Sequence, residues 1–391
     1  LGDWSDTPDP ALADPAPYRV HYFKHTNESQ DDWSDLIALT QKLAKGRSPS
    51  LNAPTWDADY ADAVRSVADV RQWMGYFAVN NIADTTETCL ANGRGDDYYL
   101  YFGAADRRGR LIPYDLDSIF GRSSSSAYNR SLWYMCQNWS MTGNPPTPVN
   151  PFLKHPEFAP GSFAELRRMI DGAFRPAQFN ALADEVLGGL VDPAVITPIK
   201  TFNAQRTAWI ATQIPLAIAV TTAPAIVGGY PCSTTATTTL GGVANAITTR
   251  SVRVNGVAAA WTAWTATWNA PGVALQPGLN RVLVQTFDGA DAETGRFFFD
   301  VWYDDGSVQT VSADIATDTT WTAAGGPWQV TASVAVAAGA TLTIEPGTSV
   351  YLSNGATMSV AAGGRLLAEG TGTQPIRFGT APGRAATWPG L

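Results

Sequence analysis

Acidic side chains flank two short apolar runs in the stretch GDDYYLYFGAADRRGRLIPYDLDSIFGR. The run LIPY leads directly to Asp115 and Asp117, and Asp97 stands immediately before the run YYLYF. The charged, glycine-containing segment between the runs predicts a hairpin. Side chains two apart on an extended strand point to the same side, so we expect Asp115 and Asp117 to converge on one small volume. Such carboxylates repel each other unless a proton or cation lies between them, and Mg²⁺ suits a site that also holds phosphate.

A second acidic segment lies upstream of this hairpin. Helical spacing around Trp73 predicts a helix with its N-cap at Asp69. This helix ends at Asn80 and Asn81 and releases a loop carrying Asp84 and Glu87. A phosphotransferase needs a metal-holding Asp after a strand, a second ligand nearby and a carboxylate that accepts the proton of the attacking hydroxyl. Asp is also favoured in turns and at helix N-caps of any protein, so spacing alone leaves both interpretations open.

Four longer motifs before Pro215 add to this pattern. They are VRQWMGYFAVNNIADTTE, GDDYYLYFGAADRRGRLIPYDLDSIFG, PFLKHPEF and FNAQRTAWIATQI. Together they resemble the CotH-kinase family, the atypical secreted or spore-coat protein kinases named after spore coat protein H, over residues 18–215. The resemblance implies a divergent kinase fold, ATP with Mg²⁺ or Mn²⁺ as cofactors, and phosphorylation of protein hydroxyls.

The resemblance also implies a role for each acidic side chain. Asp115 resembles the metal-binding Asp that takes the part of the kinase DFG aspartate, with Asp117 beside it. Asp84 resembles the catalytic-loop base, and Asp97 stands where many members have an Asn that could ligate magnesium. The loop from Asp84 to Asp97 is long, so Glu87 is the alternative counterpart of the base.

A kinase further needs a cation that positions the α- and β-phosphates. The resemblance implies that the family's small lobe, with its ATP-gripping lysine, precedes Leu1, so we expect an N-terminally incomplete domain whose activity as a fragment is open. Lys24 lies in a family-like stretch and either contacts nucleotide or pairs locally. The serines at 123–126 follow the hairpin where a kinase carries its activation segment, although such a run is also typical of a mobile loop.

The elements that position these residues change along the chain. Apolar residues at helical spacing dominate before Pro215, which predicts an α+β kinase-like domain over residues 1–215. Short alternating strands follow and predict an all-β sandwich over residues 216–310. The phrases VRVNGVAA and LQPGLNRVLVQTFD in this second segment resemble the immunoglobulin-like modules of secreted bacterial proteins.

The last segment contains an internal repeat. VAAGATLTIE begins at Val336 and VAAGGRLLAE begins at Val360, 24 residues apart. One rung of a parallel β-helix has about this length, and TLTIEPGTSVYL resembles the entry rungs of right-handed β-helix proteins. We therefore predict that residues 311–391 form the start of a right-handed β-helix, with more rungs after Leu391.

Composition narrows the partners and the chemistry. The formal net charge of −9 disfavours nucleic acid and anionic lipid, and no apolar run approaches the length that spans a bilayer. Cys89, Cys136 and Cys232 lack metal-site spacing, and the chain has only three histidines. Acid–base or metal chemistry is therefore expected to depend on carboxylates.

The sequence thus predicts a multidomain exported protein that uses Mg-ATP to phosphorylate Ser or Thr hydroxyls on an extracellular or envelope protein. The alternative is a non-catalytic adhesion or scaffold protein in which the β-rich half binds the partner. A third possibility is contact with, or processing of, polysaccharide, because β-helices often host lyases and hydrolases. No acid pair in the predicted rungs supports that activity, since Glu345 and Glu369 occupy equivalent turn positions.

Overall fold

The structure of the chain is a computed structural model that describes residues 14–85, 97–137 and 146–384. The chain divides into two compact units. The N-terminal unit comprises residues 1–216 with 263–265, and the C-terminal unit comprises residues 217–262 with 266–391.

The N-terminal unit is mainly helical. Its helices are α1 (Ala16–His21), α2 (Ser34–Leu43), α3 (Tyr60–Val67), α4 (Val70–Ala83), α5 (Val149–Lys154), α6 (Ala159–Asp171), α7 (Pro176–Leu187) and α8 (Pro193–Gln213), with a 3₁₀ turn at Tyr134–Cys136. Two antiparallel ribbons accompany them, β1 (Gly46–Arg47) with β2 (Thr55–Trp56) and β3 (Tyr98–Tyr101) with β4 (Arg110–Pro113). The second ribbon is the hairpin that the sequence predicts among the helices.

Helix α4 lies next to this hairpin. Its N-cap is Asp69, as predicted, whose side chain accepts a hydrogen bond from the Gln72 backbone amide at 3.3 Å. The predicted end at Asn80 and Asn81 is wrong, because α4 continues to Ala83. Both asparagine amides find backbone acceptors inside the protein, which removes the tendency of exposed Asn to end a helix.

Aromatic packing fixes α4 in the N-terminal unit. The rings of Trp73 and Phe77 on α4 lie 5.5 and 6.0 Å from the Phe152 ring of α5, measured between centroids. Phe152 in turn lies 5.2 Å from Phe158, just before α6. Each aromatic pair contributes roughly 0.5–1.5 kcal/mol beyond the burial of its area. The first and middle turns of α4 therefore pack on an aromatic core.

A buried histidine in this core titrates differently in the folded and unfolded chain. His155 is 9% exposed, and its ring lies 5.3 Å from Tyr60 and 4.9 Å from Phe158. Its Nδ1 accepts a hydrogen bond from the Glu157 backbone amide at 3.2 Å, which requires an unprotonated Nδ1. Burial lowers the pKa of His155, the Glu157 carboxylate partly opposes this, and Arg65 adds to it.

We expect the free energy of unfolding to decrease as the pH falls below 6.5, the ordinary pKa of His155. Below that pH the unfolded chain binds a proton that the folded chain takes up only near its lower pKa. The free energy of unfolding should therefore fall by at most about 1.4 kcal/mol per pH unit. Urea unfolding midpoints at neutral and mildly acidic pH measure the effect. His155→Phe is the control, and equal pH dependence in this variant and the wild type would contradict the assignment.

The C-terminal unit begins with two mainly antiparallel sheets. Their strands are β5 (Ala219–Thr222), β6 (Ile226–Val227), β7 (Tyr230–Ser233), β8 (Thr237–Val243), β9 (Ser251–Val254), β10 (Val257–Ala258), β11 (Ala260–Thr262), β12 (Thr267–Ala274), β13 (Gly278–Phe287) and β14 (Glu293–Tyr303). One sheet has the order β10-β9-β13-β14-β7-β6 and the other β11-β12-β8-β5. Residues from both sheets, including Leu240, Trp268, Val282 and Val301, form one buried cluster. The immunoglobulin-like assignment stays a prediction.

The remainder of this unit consists of short parallel strands. They are β15 (Gln309–Val311), β16 (Thr319–Trp321), β17 (Trp328–Val330), β18 (Val334–Val336), β19 (Thr341–Ile344), β20 (Ser349–Leu352), β21 (Met358–Val360), β22 (Arg365–Ala368) and β23 (Arg377–Gly379). They form the parallel sheets β15-β17-β20-β23, β16-β19-β22 and β18-β21. Val336 pairs with Val360 and Leu342 with Leu366, so the two copies of the 24-residue repeat lie one on the other in register. The identification as a right-handed β-helix stays a prediction.

Two further observations limit the chemistry of the described residues. Cys136 is a free, fully buried thiol whose pKa burial raises to about 12, and Cys232 is also free, whereas Cys89 lies outside the described residues. A thiol with so high a pKa carries almost no thiolate at neutral pH.

Within the described ranges, the helices are too short or too polar to cross a membrane.

Candidate active site

Polar contacts from α4 hold the predicted acidic hairpin. The side chain of Gln72 donates to the Leu111 carbonyl at 2.6 Å and accepts from the Leu111 amide at 2.9 Å. The Arg110 guanidinium bonds to the Asp69 carboxylate at 3.1 Å. These contacts join the first two residues of β4 to the N-terminal end of α4.

Backbone hydrogen bonds bring the predicted acidic segments to one end of the hairpin. The amide of Tyr114 donates to the carbonyl of Asp97 at 3.0 Å, immediately beyond the last paired residues of β3 and β4. The amide of Phe120 donates to the carbonyl of Ala83 at 2.7 Å, next to Asp84. The structure therefore joins the end of α4, the start of β3 and the turn after β4 through their backbones.

Asp115 and Asp117 lie exposed beyond the end of β4. They follow the strand directly, as predicted, but Asp115 has a φ of +46°, so the backbone is not extended there and strand geometry does not support their convergence. That the two side chains converge stays a prediction. Asp tolerates this left-handed conformation better than most residues. Within the described residues neither carboxylate has a hydrogen-bond or ion-pair partner. Their oxygens are consequently open to solvent.

Asp84 has the opposite environment. It ends α4 in the left-handed conformation, with a φ of +55°, and its side chain is 0% exposed. One carboxylate oxygen accepts from the Arg130 Nε at 2.5 Å, and the other accepts from the Ala127 backbone amide at 2.8 Å. In this arrangement a substrate hydroxyl cannot reach the Asp84 carboxylate. The role of Asp84 as a base stays a prediction.

The other predicted site residues are less informative. Asp97 is buried immediately before β3, whereas Glu87 lies outside the described residues. Lys24 donates locally to the carbonyls of Gln30 and Asp32, as one of its two interpretations expects. Among the serines at 123–126, the hydroxyls of the first and third lie 3.1 Å apart.

Two arginines that the sequence did not single out organise the site. Arg130 pairs with Asp84, and the fully buried Arg206 on α8 bonds to Asn81. The signal for Arg206 was its position inside the family-like motif FNAQRTAWIATQI, among apolar residues of a predicted helix. Arg130 had no comparable signal, because only the folded chain brings it to Asp84.

The described side chains supply only part of the predicted metal site. Within residues 14–85, 97–137 and 146–384, no three His, Cys, Asp or Glu side chains form a group that could hold a metal ion. Asp115 and Asp117 are nevertheless hard oxygen donors in an open position, which suits a hydrated Mg²⁺ or Mn²⁺ that also binds phosphate. They fit part of a ligand set that water and nucleotide oxygens would complete.

An open pocket of about 490 Å³ lies between α4 and α6 and reaches the hairpin, because Asp69, Gln72 and Pro113 also line it. Arg71, Tyr76 and Asn80 contribute from the α4 side, Glu165 and Arg168 from α6. Its volume is in the range of small-molecule sites. Among the described lining residues, none is a predicted catalytic or metal-binding carboxylate.

Protein kinases hold their magnesium ions through Asp and Asn side chains and use a further Asp as the base. The family model described as CotH kinase protein matches residues 8–212, just over half of the chain. The chain therefore belongs to the CotH kinase family, and its structure is a mixed α and β protein with a CotH domain at the N-terminal side. Membership indicates atypical kinase activity, with ATP and a divalent metal in general terms. No curated protein matches the chain.

Proposed function

We propose that the CotH domain transfers the γ-phosphate of ATP to Ser or Thr hydroxyls of an extracellular or envelope protein. The observation that carries the proposal is the pair of exposed, unpartnered carboxylates at the end of the hairpin in a chain of this family. Asp115 and Asp117 hold Mg²⁺ or Mn²⁺ in this proposal, and Asp97 assists them. A bound divalent cation offsets the negative charge of the phosphates.

Asp84 accepts the proton of the attacking hydroxyl in this proposal, with Glu87 as the alternative. Because Arg130 and the Ala127 amide occupy both Asp84 oxygens, the reaction requires one of these bonds to be exchanged for the substrate hydroxyl. A carboxylate must come within hydrogen-bond distance of a proton to accept it. In this proposal the exchange starts from the arrangement described above.

The test is phosphate transfer by the intact chain. We expect Mg-ATP to raise the melting temperature and label from γ-labelled ATP to enter a casein acceptor, with acid hydrolysis yielding phosphoserine or phosphothreonine. Omission of the divalent metal should abolish both signals, because the carboxylates and the phosphates then repel each other. Absence of a thermal shift and of label at saturating Mg-ATP would contradict the proposal.

A non-catalytic scaffold or adhesion protein is the second candidate. It is favoured by the complete burial of Asp84 and by the engagement of both its oxygens, which is typical of a structural ion pair. In that case the domain would bind a partner without turnover. Wild-type protein that binds its partner equally well with and without Mg-ATP, and transfers no label, would support this function instead.

The proposal extends to the setting of the protein. We infer export to the cell surface or beyond, a sandwich of immunoglobulin type and the first rungs of a right-handed β-helix. The parallel pairing of the 24-residue repeat supports the last assignment, because stacked rungs pair in this manner. Polysaccharide contact through these β-rich segments is a further possibility, and sedimentation of the protein with insoluble cell-wall polysaccharide tests it.

A further inference from the structure

A buried arginine connects both sides of the Asp84 site. Arg206 lies on α8 and is 0% exposed. Burial lowers its pKa to about 10, while Tyr134 and Asp84 partly oppose this effect. The guanidinium is therefore still charged at neutral pH, and a buried charge persists only when hydrogen bonds replace its hydration.

The first side that Arg206 contacts is the end of α4. Its Nε donates to the Asn81 carbonyl at 3.0 Å, and one terminal nitrogen donates to the Asn81 side-chain oxygen at 2.8 Å. Asn81 also donates through its side-chain amide to the Leu132 carbonyl at 2.7 Å. These bonds fix the last turn of the helix that ends in Asp84.

The second side is the segment that binds the Asp84 carboxylate. The other terminal nitrogen of Arg206 donates to the carbonyls of Tyr128 at 3.1 Å and Arg130 at 2.5 Å. This segment supplies both partners of Asp84, the Ala127 amide and the Arg130 guanidinium. The Arg206 guanidinium thus links the last turn of α4, which leads to Asp84, to the segment of residues 127–130, which binds the Asp84 carboxylate.

We propose that Arg206 is a positioning residue for phosphate transfer, which acts by fixing Asp84 and its holding segment relative to each other. The inference rests on the proposed function, in which Asp84 accepts a proton. A misplacement of about 1 Å at a reacting group can lower a rate by roughly a hundredfold. Lysine cannot take over this role, because a single ammonium lacks the planar fork that reaches acceptors on two segments.

The test compares Arg206→Lys with wild type by steady-state kinetics and amide hydrogen exchange. We expect kcat to fall by roughly tenfold or more while the KM for Mg-ATP stays within about twofold, because positioning affects the chemical step rather than nucleotide binding. The Ala127 amide should exchange faster at a temperature well below unfolding. Lys154→Met is the matched control, since Lys154 is another buried cation that donates to a backbone carbonyl, that of Leu51. It should lower the melting temperature and leave kcat unchanged.

If Arg206→Lys does not fold, Asn81→Ala provides the same comparison, because it removes one acceptor of the guanidinium and leaves the charge in place. A kcat within about twofold of wild type, in an active protein, would overturn the inference and leave the proposed function intact. If Arg206→Lys and Lys154→Met lowered kcat by the same factor, the effect would be general destabilisation, and the inference would also be overturned. A wild-type chain that transfers no phosphate would overturn the proposed function and this inference together.

Discussion

Asp115→Asn is expected to lower phosphate transfer by roughly a hundredfold or more, because a lost metal-ligand charge removes several kcal/mol of transition-state stabilisation. The side chain is exposed and has no partner within the described residues, so the free energy of unfolding should change by less than about 0.5 kcal/mol. Asn is the appropriate replacement, since it tolerates the φ of +46° at this position better than Ala does. Initial rates at saturating ATP and the urea unfolding midpoint measure the two effects.

Exposed carboxylates elsewhere in the same domain provide the control. Asp62→Asn removes a solvent-exposed charge from α3 whose only described partner is Arg65, within the same helix. It should leave both the rate and the stability close to wild type. If Asp115→Asn retained wild-type transfer with unchanged metal dependence, the assignment of Asp115 as a metal ligand would be wrong.

Asp84→Asn is expected to have two large effects. It should reduce kcat by roughly 10²–10⁴-fold if Asp84 is the base, because an amide cannot accept the proton. It should also reduce the free energy of unfolding by about 3 kcal/mol, since removing one member of a buried ion pair leaves the other without compensation. This figure is at the lower end of the roughly 3–5 kcal/mol typical of broken buried ion pairs, because Arg130 remains 15% exposed and its charge can be hydrated. Enzyme kinetics and urea unfolding are measured on the same preparation.

A double-mutant cycle with Arg130→Gln separates the two effects. The summed stability losses of the two single variants should exceed the loss in the double variant, because each single variant already removes the same ion pair. The loss of kcat should follow Asp84 rather than the pair. Retained kcat in Asp84→Asn together with loss in Glu87→Ala would identify Glu87 as the base.

Local patterns predicted much of the scaffold from the sequence. Helical spacing and the capping preference of Asp69 gave the start of α4, and two apolar runs around a glycine turn gave the hairpin. The repeat beginning at Val336 and Val360 predicted stacking in parallel register. These features depend on neighbours in the chain or on identical copies of one pattern, so a linear sequence contains the information.

The sequence by itself determined which residue types stand at the end of the hairpin, and the family match confirms the class of protein they belong to. Only the tertiary structure decided which carboxylates are available. In the folded chain Asp115 is exposed to solvent, whereas Asp84 forms an ion pair with Arg130, 46 residues away. It also brought Arg206 to Asn81 across 125 residues. The reason is physical: burial and ion pairing depend on segments that meet only when the chain has folded, and no local spacing encodes them.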